Sequence, residues 1–281
     1  MTKVEKIIVA VASVVAIVAF VMVLKKARDY KVAENEYDSL QQYASTENTA
    51  ESEAELEEAE VAETSGDPDK PEEVKKKKEL AQNFNREDFP EIDVDFASLR
   101  KKNKDVVGWL YVGSCGISYP IVQGEDNDYY MHHTFEGNTN SSGAIIMDYR
   151  DDKYLRDWNT FIYGHNMKNG SMFGSLKKLL NDETLYDKDP YIYVYFPGYI
   201  YRYKIFSYYK DKPDSKMYWT ADTLQEYRQY IRDALSLSVR ECNVETSEEN
   251  NMVTLVTCSG SGEGKMRFFV HGEFIDRYKI E

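Results

Sequence analysis

The chain has 281 residues, of which 42% are hydrophobic and 30% are charged, and its formal net charge is −14 at pH 7. This length allows one large domain or two small ones. The three cysteines are odd in number and widely spaced, which excludes a disulfide framework. The short basic run Lys75–Lys78 is more typical of a solvated surface than of a nucleic-acid site, so we predict no nucleic-acid partner.

An uncharged apolar segment, Ile7–Leu24, lies near the N-terminus, and Ser13 is its only polar residue. Its eighteen residues are at the short end of the length that spans a bilayer. A cleaved signal peptide is the alternative, but the following basic run offers no small-residue cleavage site. We therefore predict a transmembrane signal anchor at residues 7–24, and the cytoplasmic placement of the N-terminus at residues 1–6 rests on the family resemblance given below. The basic residues on either side of the span do not by themselves favour this orientation.

An acidic segment follows the predicted span. Residues 34–73 hold fifteen carboxylates and one basic residue, Lys70, and so account for the net charge of the whole chain. This segment is poor in large apolar residues and cannot bury a core. We predict that residues 25–85 form an acidic, largely disordered spacer and that residues 86–281 form the folded domain.

The folded domain is predicted to be mainly β with added helices. Many short strands with turn residues between them indicate a barrel or a sandwich. The predicted strands are Trp109–Val112, Gly116–Tyr119, Ile121–Val122, Ala144–Met147, Thr160–Tyr163, Tyr191–Phe196, Tyr199–Tyr209, Met252–Thr257 and Arg267–Ile275.

Three helices are predicted around these strands. Asp95 is placed to cap a short helix, and apolar residues at helical spacing predict further helices over Ser171–Leu180 and Thr220–Leu237. The last of these begins with a capping box, for which Thr223 with Glu226 and Asp222 with Gln225 are equal candidates. We expect the two longer helices to cover faces of the sheet.

Cys258 lies at the end of a predicted strand, and a run of turn-forming residues follows it. The next strand returns with Arg267 near its start. If the two strands pair in the register that brings these residues to one face, the cation lowers the pKa of the thiol and stabilises an oxyanion. A buried structural cysteine and a solvent-facing arginine are the simpler alternatives.

His165 is the best placed of the four histidines to act as an acid or base. It follows a predicted strand, in the turn Gly164-His165-Asn166, and catalytic groups often lie in such loops. His132 and His133 are adjacent and would not share a helix or strand face, so they make a metal site improbable. With no metal-ligand motif and no glycine-rich phosphate loop, we predict no metal and no cofactor.

The segment Thr254-Leu255-Val256-Thr257-Cys258 resembles the TLxTC signature of sortases, the cysteine transpeptidases of Gram-positive cell envelopes. The resemblance extends over nearly all of the chain from about Asp95 onward, and the long helix before the cysteine strand indicates class B. Further segments resemble the family in its order: Asp105–Leu110, Ile117–Gly124, Asp126–Tyr130, Gly143–Asp148 and Thr160–His165.

This resemblance implies a closed sortase-type β-barrel with a long helix before the cysteine strand. It also implies that Cys258 is the nucleophile, His165 the acid or base, and Arg267 the cation that stabilises the oxyanion. Two residues beside the cysteine depart from the best-known class B pattern, which leaves the substrate preference open. The predicted substrate-binding residues are Asn127, Tyr218, Trp219, Val256, Thr257 and Ser259, with packing or turn-forming roles as the alternatives.

The resemblance implies an extracellular catalytic domain on a single-pass membrane protein. The expected partners are secreted proteins with a C-terminal sorting signal and an amine of a peptidoglycan precursor or cross-bridge. The expected reaction cleaves a threonine-containing sorting motif and transfers the acyl group through a thioester. A pilin-polymerising sortase, a hydrolytic thiol protease and a tethered binding module are the alternatives. A bridge between Cys115 and Cys242 also remains open.

Overall fold

The computed structural model describes residues 2–45, 86–218, 221–259 and 266–280. The α-helices are Lys3–Leu40 (α1), Phe96–Lys102 (α2), Glu183–Lys188 (α3) and Leu224–Leu237 (α4). The strands are Ala44–Ser45 (β1), Asp93–Val94 (β2), Val106–Val112 (β3), Ile117–Val122 (β4), Ile145–Met147 (β5), Asn159–Tyr163 (β6), Tyr191–Phe196 (β7), Tyr199–Asp211 (β8), Met252–Ser259 (β9) and Met266–Lys279 (β10). Short 3₁₀ helices span Gln41–Tyr43, Arg86–Asp88, Gly113–Cys115, Phe173–Leu180 and Lys216–Tyr218.

Eight of these strands close into a barrel in the order β10-β8-β7-β3-β4-β5-β6-β9, which confirms the predicted closed barrel. Two of its pairings are parallel, β4 with β5 and β6 with β9, and the others are antiparallel. Because side chains alternate between the two faces of a strand, one face fills the interior and the other is available for covering elements. The barrel interior holds large aliphatic and aromatic side chains such as Leu110, Ile121, Ile162, Leu255 and Phe268.

A second apolar cluster lies on the outer face of the barrel, beneath α4. The helix contributes Tyr227, Tyr230, Ile231 and Ala234, and the strands contribute buried residues of β6, β8, β9 and β10. α4 begins at a capping box in which Thr223 is the N-cap and Glu226 returns a hydrogen bond, which decides between the two predicted boxes. The helix therefore covers the face to which Val256 and Phe269 belong.

Two predicted elements differ in the structure. The separate strands predicted on either side of Pro120 are one strand, β4, in which Pro120 lies opposite Trp109. The helix predicted from Ser171 is a 3₁₀ helix that begins at Phe173. It begins late because Met172 has a positive φ of 51°, which a right-handed helix does not allow.

The predicted disordered spacer at residues 25–85 is wrong for its first part. α1 continues without interruption from the apolar segment to Leu40, and its last three turns pack against the barrel. The packed residues recur at helical spacing, with Tyr30 and Ala33 two turns before Tyr37 and Leu40. The ring of Tyr37 meets that of Tyr119 of β4 edge-on, with centroids 5.4 Å apart.

The acidic residues therefore do not separate the apolar helix from the barrel. β1 directly follows α1 and pairs with β2, so that Ala44 lies opposite Val94 and Ser45 opposite Asp93. The described residues before and after the gap at 46–85 are therefore neighbours in one small sheet. Residues 46–85, for which the disorder prediction otherwise stands, lie outside the described residues.

Candidate active site

Three neighbouring strands, β6, β9 and β10, bring the predicted catalytic residues to one end of the barrel. In the antiparallel ladder of β9 and β10, Cys258 and Arg267 are direct partners. In the parallel ladder of β6 and β9, Tyr163 lies beside Val256, so His165 and Cys258 each come two residues after the last pair of this ladder, at the same end of the barrel. Direct partners share a face of the sheet, and adjacent strands lie about 4.8 Å apart. The register assumed from the sequence for Cys258 and Arg267 is the one observed.

Arg267 is half-buried, and its Nη1 is buried without a hydrogen-bond partner among the described residues. Its other cross-strand partner is Asp211 of β8. The carboxylate of Asp211 instead accepts hydrogen bonds from Ser215 Oγ at 2.6 Å and from the Lys212 amide at 2.8 Å. A buried guanidinium N–H without a partner is costly, and an oxyanion formed beside it can satisfy it.

The His165 ring is held by a main-chain carbonyl. Its Nε2 lies 2.7 Å from the carbonyl oxygen of Met131. Because a carbonyl only accepts hydrogen bonds, Nε2 must carry a hydrogen, and Nδ1 is the nitrogen left to exchange a proton. The main chain of His165 is held as well, since its carbonyl accepts from the amides of Met167 at 3.2 Å and Phe173 at 3.0 Å.

A family model described as the sortase domain matches residues 110–275, which is more than half of the chain. The chain belongs to the sortase family. It is 35% identical over 192 residues to sortase B of Listeria monocytogenes, covering 66% of this chain and 76% of that protein. The similarity identifies class B and makes the chain a cysteine transpeptidase of the sortase type.

Solved structures of class B sortases share this fold. The Staphylococcus aureus sortase B–substrate complex is 30% identical with a TM-score of 0.60, covering 66% of this chain and 85% of that chain. The X-ray structure of Clostridium perfringens sortase B is 29% identical with a TM-score of 0.60, covering 65% of this chain and 100% of that chain. The predicted closed sortase-type barrel is thereby confirmed.

The sequence analysis missed a polar network around Tyr163, which comes two residues before His165 in this sortase. Tyr163, the last residue of β6, donates its hydroxyl to Asp148 at 2.9 Å, and Arg150 binds the same carboxylate through two nitrogens at 2.8 and 2.9 Å. Burial raises the pKa of Asp148, but these hydrogen bonds outweigh burial and hold the pKa below its ordinary value. The sequence did contain one indication of this network, because the acidic residue Asp148 directly follows the buried strand β5.

The residues predicted to bind substrate have different environments. Asn127 is half-buried, and its Oδ1 accepts a hydrogen bond from the Tyr149 amide at 3.0 Å. Tyr218 packs edge-on against Phe269 of the outer cluster, with ring centroids 5.1 Å apart. Each of these contacts fixes a segment of the fold and leaves part of the side chain exposed.

Residues that flank the cysteine on β9 are mostly enclosed by the fold. Val256 and Thr257 are only 2% and 4% exposed, and their contact with a substrate stays a prediction. They are enclosed because β9 is central, with β6 on one side and β10 on the other. Ser259 ends β9 opposite Met266, and Trp219 lies outside the described residues.

The remaining cysteines and histidines have other environments. Cys115 and Cys242 are both free and buried, so the bridge left open by the sequence is absent. His271 is fully buried between Tyr209 Oη and Thr254 Oγ1, each 2.9 Å from a ring nitrogen, and burial lowers its pKa to about 3. Across the described residues, no group of three or more His, Cys, Asp or Glu side chains is arranged to hold a metal ion.

Proposed function

We propose that this sortase is a membrane-anchored enzyme that cleaves a threonine-containing sorting motif and joins the acyl group to a cell-wall amine. The observation that carries the proposal is the alignment of three strand ends, which brings His165 and Arg267 to either side of Cys258. The two flanking residues supply proton transfer on one side and a positive charge on the other. A carbonyl group bound over Cys258 would meet both.

Acylation begins when the Cys258 thiolate attacks the threonine carbonyl of the sorting motif. A C–S bond forms, and the carbonyl electrons move to the oxygen, whose negative charge lies beside the Arg267 guanidinium. The oxyanion then re-forms the carbonyl and the C–N bond breaks. His165 protonates the departing amine from Nδ1, and a thioester on Cys258 remains.

Transfer to the acceptor reverses these roles. An incoming amine attacks the thioester carbonyl while His165 removes its proton, and Cys258 leaves as a thiolate when the new amide bond forms. Water in place of the amine would give a hydrolytic thiol protease. A lysine of another protein in its place would give a pilin-polymerising sortase. The thioester keeps the acyl-transfer potential until one of these acceptors arrives.

The membrane anchor in the proposal is the first half of α1. Its apolar window has a mean hydropathy of 3.2 and is fully exposed in the structure. Eighteen residues of helix rise about 27 Å, close to the thickness of a bilayer's hydrocarbon core. We place the N-terminus in the cytoplasm and the barrel outside. Since α1 passes directly into its packed turns, the barrel is held near the membrane surface, where secreted proteins with sorting signals emerge.

The test uses the full-length protein in nanodiscs with a panel of threonine-containing sorting peptides. Water, a cell-wall peptide amine and a lysine-bearing peptide compete as acceptors, and mass spectrometry identifies the adduct on Cys258 and the product. We expect a thioester and a peptide–amine product with the cell-wall amine, and neither with the Cys258→Ala variant. Hydrolysis alone, or preferred transfer to lysine, would replace the proposal with the corresponding alternative. An unreactive Cys258 would indicate a binding module.

A further inference from the structure

We propose that Glu36 and Tyr37 of α1 are positioning residues for His165. They act through residues 131–143, named here the support loop, which lies between β4 and β5 and contacts the His165 ring. The inference rests on the proposed role of His165 as the acid or base. It adds that the helix leading from the membrane determines how the imidazole is held.

Glu36 binds the support loop through its carboxylate. Glu36 is only 8% exposed, and three hydrogen-bond donors surround its carboxylate. Its oxygens accept from Thr134 Oγ1 at 2.7 Å, from the Glu136 amide at 2.9 Å and from Asn138 Nδ2 at 3.1 Å. A carboxylate that only accepts hydrogen bonds matches three donors, whereas an apolar side chain of similar size would leave them without partners.

Tyr37 ties the middle of the support loop to its end. Its hydroxyl donates to the Gly143 carbonyl at 2.7 Å and accepts from the Phe135 amide at 3.2 Å. Burial raises the pKa of Tyr37 well above its ordinary value, so the phenol keeps the proton that it donates. About two turns earlier in α1, the Asp29 carbonyl accepts from Asn140 Nδ2 at 2.8 Å.

The support loop is connected internally, so that a displacement at one point reaches the others. Thr134 N donates to the Asn138 carbonyl at 2.9 Å, and Asn140 N donates to the His132 carbonyl at 2.8 Å. At its two ends, Ala144 N donates to the Tyr130 carbonyl at 2.9 Å. These bonds hold the two halves of the loop against each other, beside the residue that contacts His165.

The loop reaches the imidazole at two points. The Met131 carbonyl lies 2.7 Å from Nε2, and the Gly143 main chain lies against the ring edge. A Cβ on Gly143 would lie 2.9 Å from His165 Cδ2 and 2.8 Å from the Tyr130 carbonyl oxygen, so a side chain has no room there. The position beside the ring therefore admits only glycine, and the carbonyl of this glycine is bound by Tyr37.

This continuous path makes the tautomer of His165 depend on α1. Met131 keeps the hydrogen on Nε2 and leaves Nδ1 for proton exchange. A shift of the support loop by a fraction of an ångström weakens that bond and lets the ring turn or change its tautomer. Because α1 is one unbroken helix from the apolar segment to Leu40, the residues that bind the support loop belong to the same helix as the predicted membrane span.

The test compares Glu36→Gln, Tyr37→Phe and the control Glu34→Gln in the full-length protein. Glutamine is nearly isosteric with glutamate, but its NH₂ group meets donors that the carboxylate satisfied. Glu34 lies on the same helix and carries the same charge, but its side chain is 51% exposed and pairs with Lys31 at 3.5 Å. The control therefore removes the same charge without touching the support loop.

Two readouts separate positioning from folding. The first is the nitrogen-15 NMR shift pair of His165, assigned with His165→Gln, which reports the tautomer and needs no turnover. The second is the pH profile of kcat measured well below the melting temperature. We expect both Glu36→Gln and Tyr37→Phe to lose the Nε2–H tautomer and to lower kcat on the order of 10- to 100-fold with KM little changed. Glu34→Gln should match the wild type in both.

Unchanged His165 shifts and pH profile in the two variants would overturn the inference, even if their melting temperatures fall. Changes of equal size in Glu34→Gln would overturn it as well, because the effect would then be one of charge alone. If Glu36→Gln fails to fold, Tyr37→Phe, which removes one hydroxyl, decides. Wild-type turnover that survives His165→Gln would refute the proposed function instead, and this outcome is read separately from the NMR result.

Discussion

On the two sides of the cysteine strand, the proposed catalytic residues are positioned by different means. Arg267 is placed by a ladder, because it is the direct partner of Cys258 within β10. His165 lies beyond the end of β6 and is held by a loop, through the Met131 carbonyl and the close approach of Gly143. One placement needs only main-chain pairing between neighbouring strands. The other needs contacts that extend to α1.

This difference has a functional meaning. A ladder fixes distance and face together, which suits a fixed charge beside an oxyanion. A loop leaves the imidazole half-buried with one nitrogen available, which suits a group that must gain and lose a proton. His271 shows the consequence of placing a histidine by a ladder on this face: four residues beyond Arg267, it is fully buried beneath α4 and stays neutral.

The largest expected effect is on the arginine side. Arg267→Lys keeps the charge but loses the planar fork and the buried Nη1, so we expect kcat to fall by about 10²- to 10³-fold, as when one oxyanion donor is removed. Steady-state kinetics with a sorting peptide measure it, with Arg232→Lys on the exposed surface of α4 as the control. Near-normal turnover in Arg267→Lys would remove this residue from the site.

The next effect is on the pH dependence of the free energy of unfolding, and it tests whether His271 stays unprotonated in the folded protein. Its folded pKa of about 3 lies below the ordinary 6.5, so the unfolded chain binds more protons between these values and stability falls as pH falls from 6.5. Between pH 7 and pH 5 this linkage costs about 2 kcal/mol. Denaturant unfolding at both pH values should show that His271→Gln loses less stability than the wild type by about this amount. An equal loss in both would show that the histidine titrates normally in the fold.

The smallest expected effect tests whether Ser215 keeps the Asp211 carboxylate away from the Arg267 guanidinium. Ser215 and the Lys212 amide hold the Asp211 carboxylate, which is otherwise opposite Arg267 in the ladder. Ser215→Ala frees one oxygen of Asp211 to approach the guanidinium, and we expect kcat to fall about fivefold, the equivalent of one net hydrogen bond. Asp211→Asn in the same background should restore most of the rate. Failure of this rescue would show that Ser215 acts on the fold rather than on Arg267.

Sequence periodicity predicted most of the barrel because strands bury one face at every second residue. Tyr191–Phe196 was predicted with its observed bounds, and the cysteine strand differed only at its C-terminal end. The capped start of α2 at Asp95 was also predicted, since a side-chain cap is a local interaction. The pairing of Cys258 with Arg267 needed an assumed register, because the turn residues between them indicate a hairpin but do not fix which residues lie opposite each other.

Contacts between distant segments were not predictable in the same way. The composition of residues 25–85 indicated disorder, yet Tyr30, Ala33, Tyr37 and Leu40 form a helical stripe that packs once the barrel exists. A stripe of four residues inside an acidic segment has no stability of its own, because isolated helices are marginal without a partner surface. The partner surface comes from β4 and the support loop, far along the chain.

The sequence by itself determined the family of this protein, through segments that resemble a sortase, and it predicts a cysteine, a histidine and an arginine as the catalytic residues on strands of a barrel or a sandwich. Only the tertiary structure decided how the histidine is held, through Met131, Gly143 and the buried carboxylate of Glu36. The physical reason is the distance along the sequence over which each kind of interaction acts. Periodicity and capping act over a few residues, whereas the bonds that orient His165 join segments about a hundred residues apart.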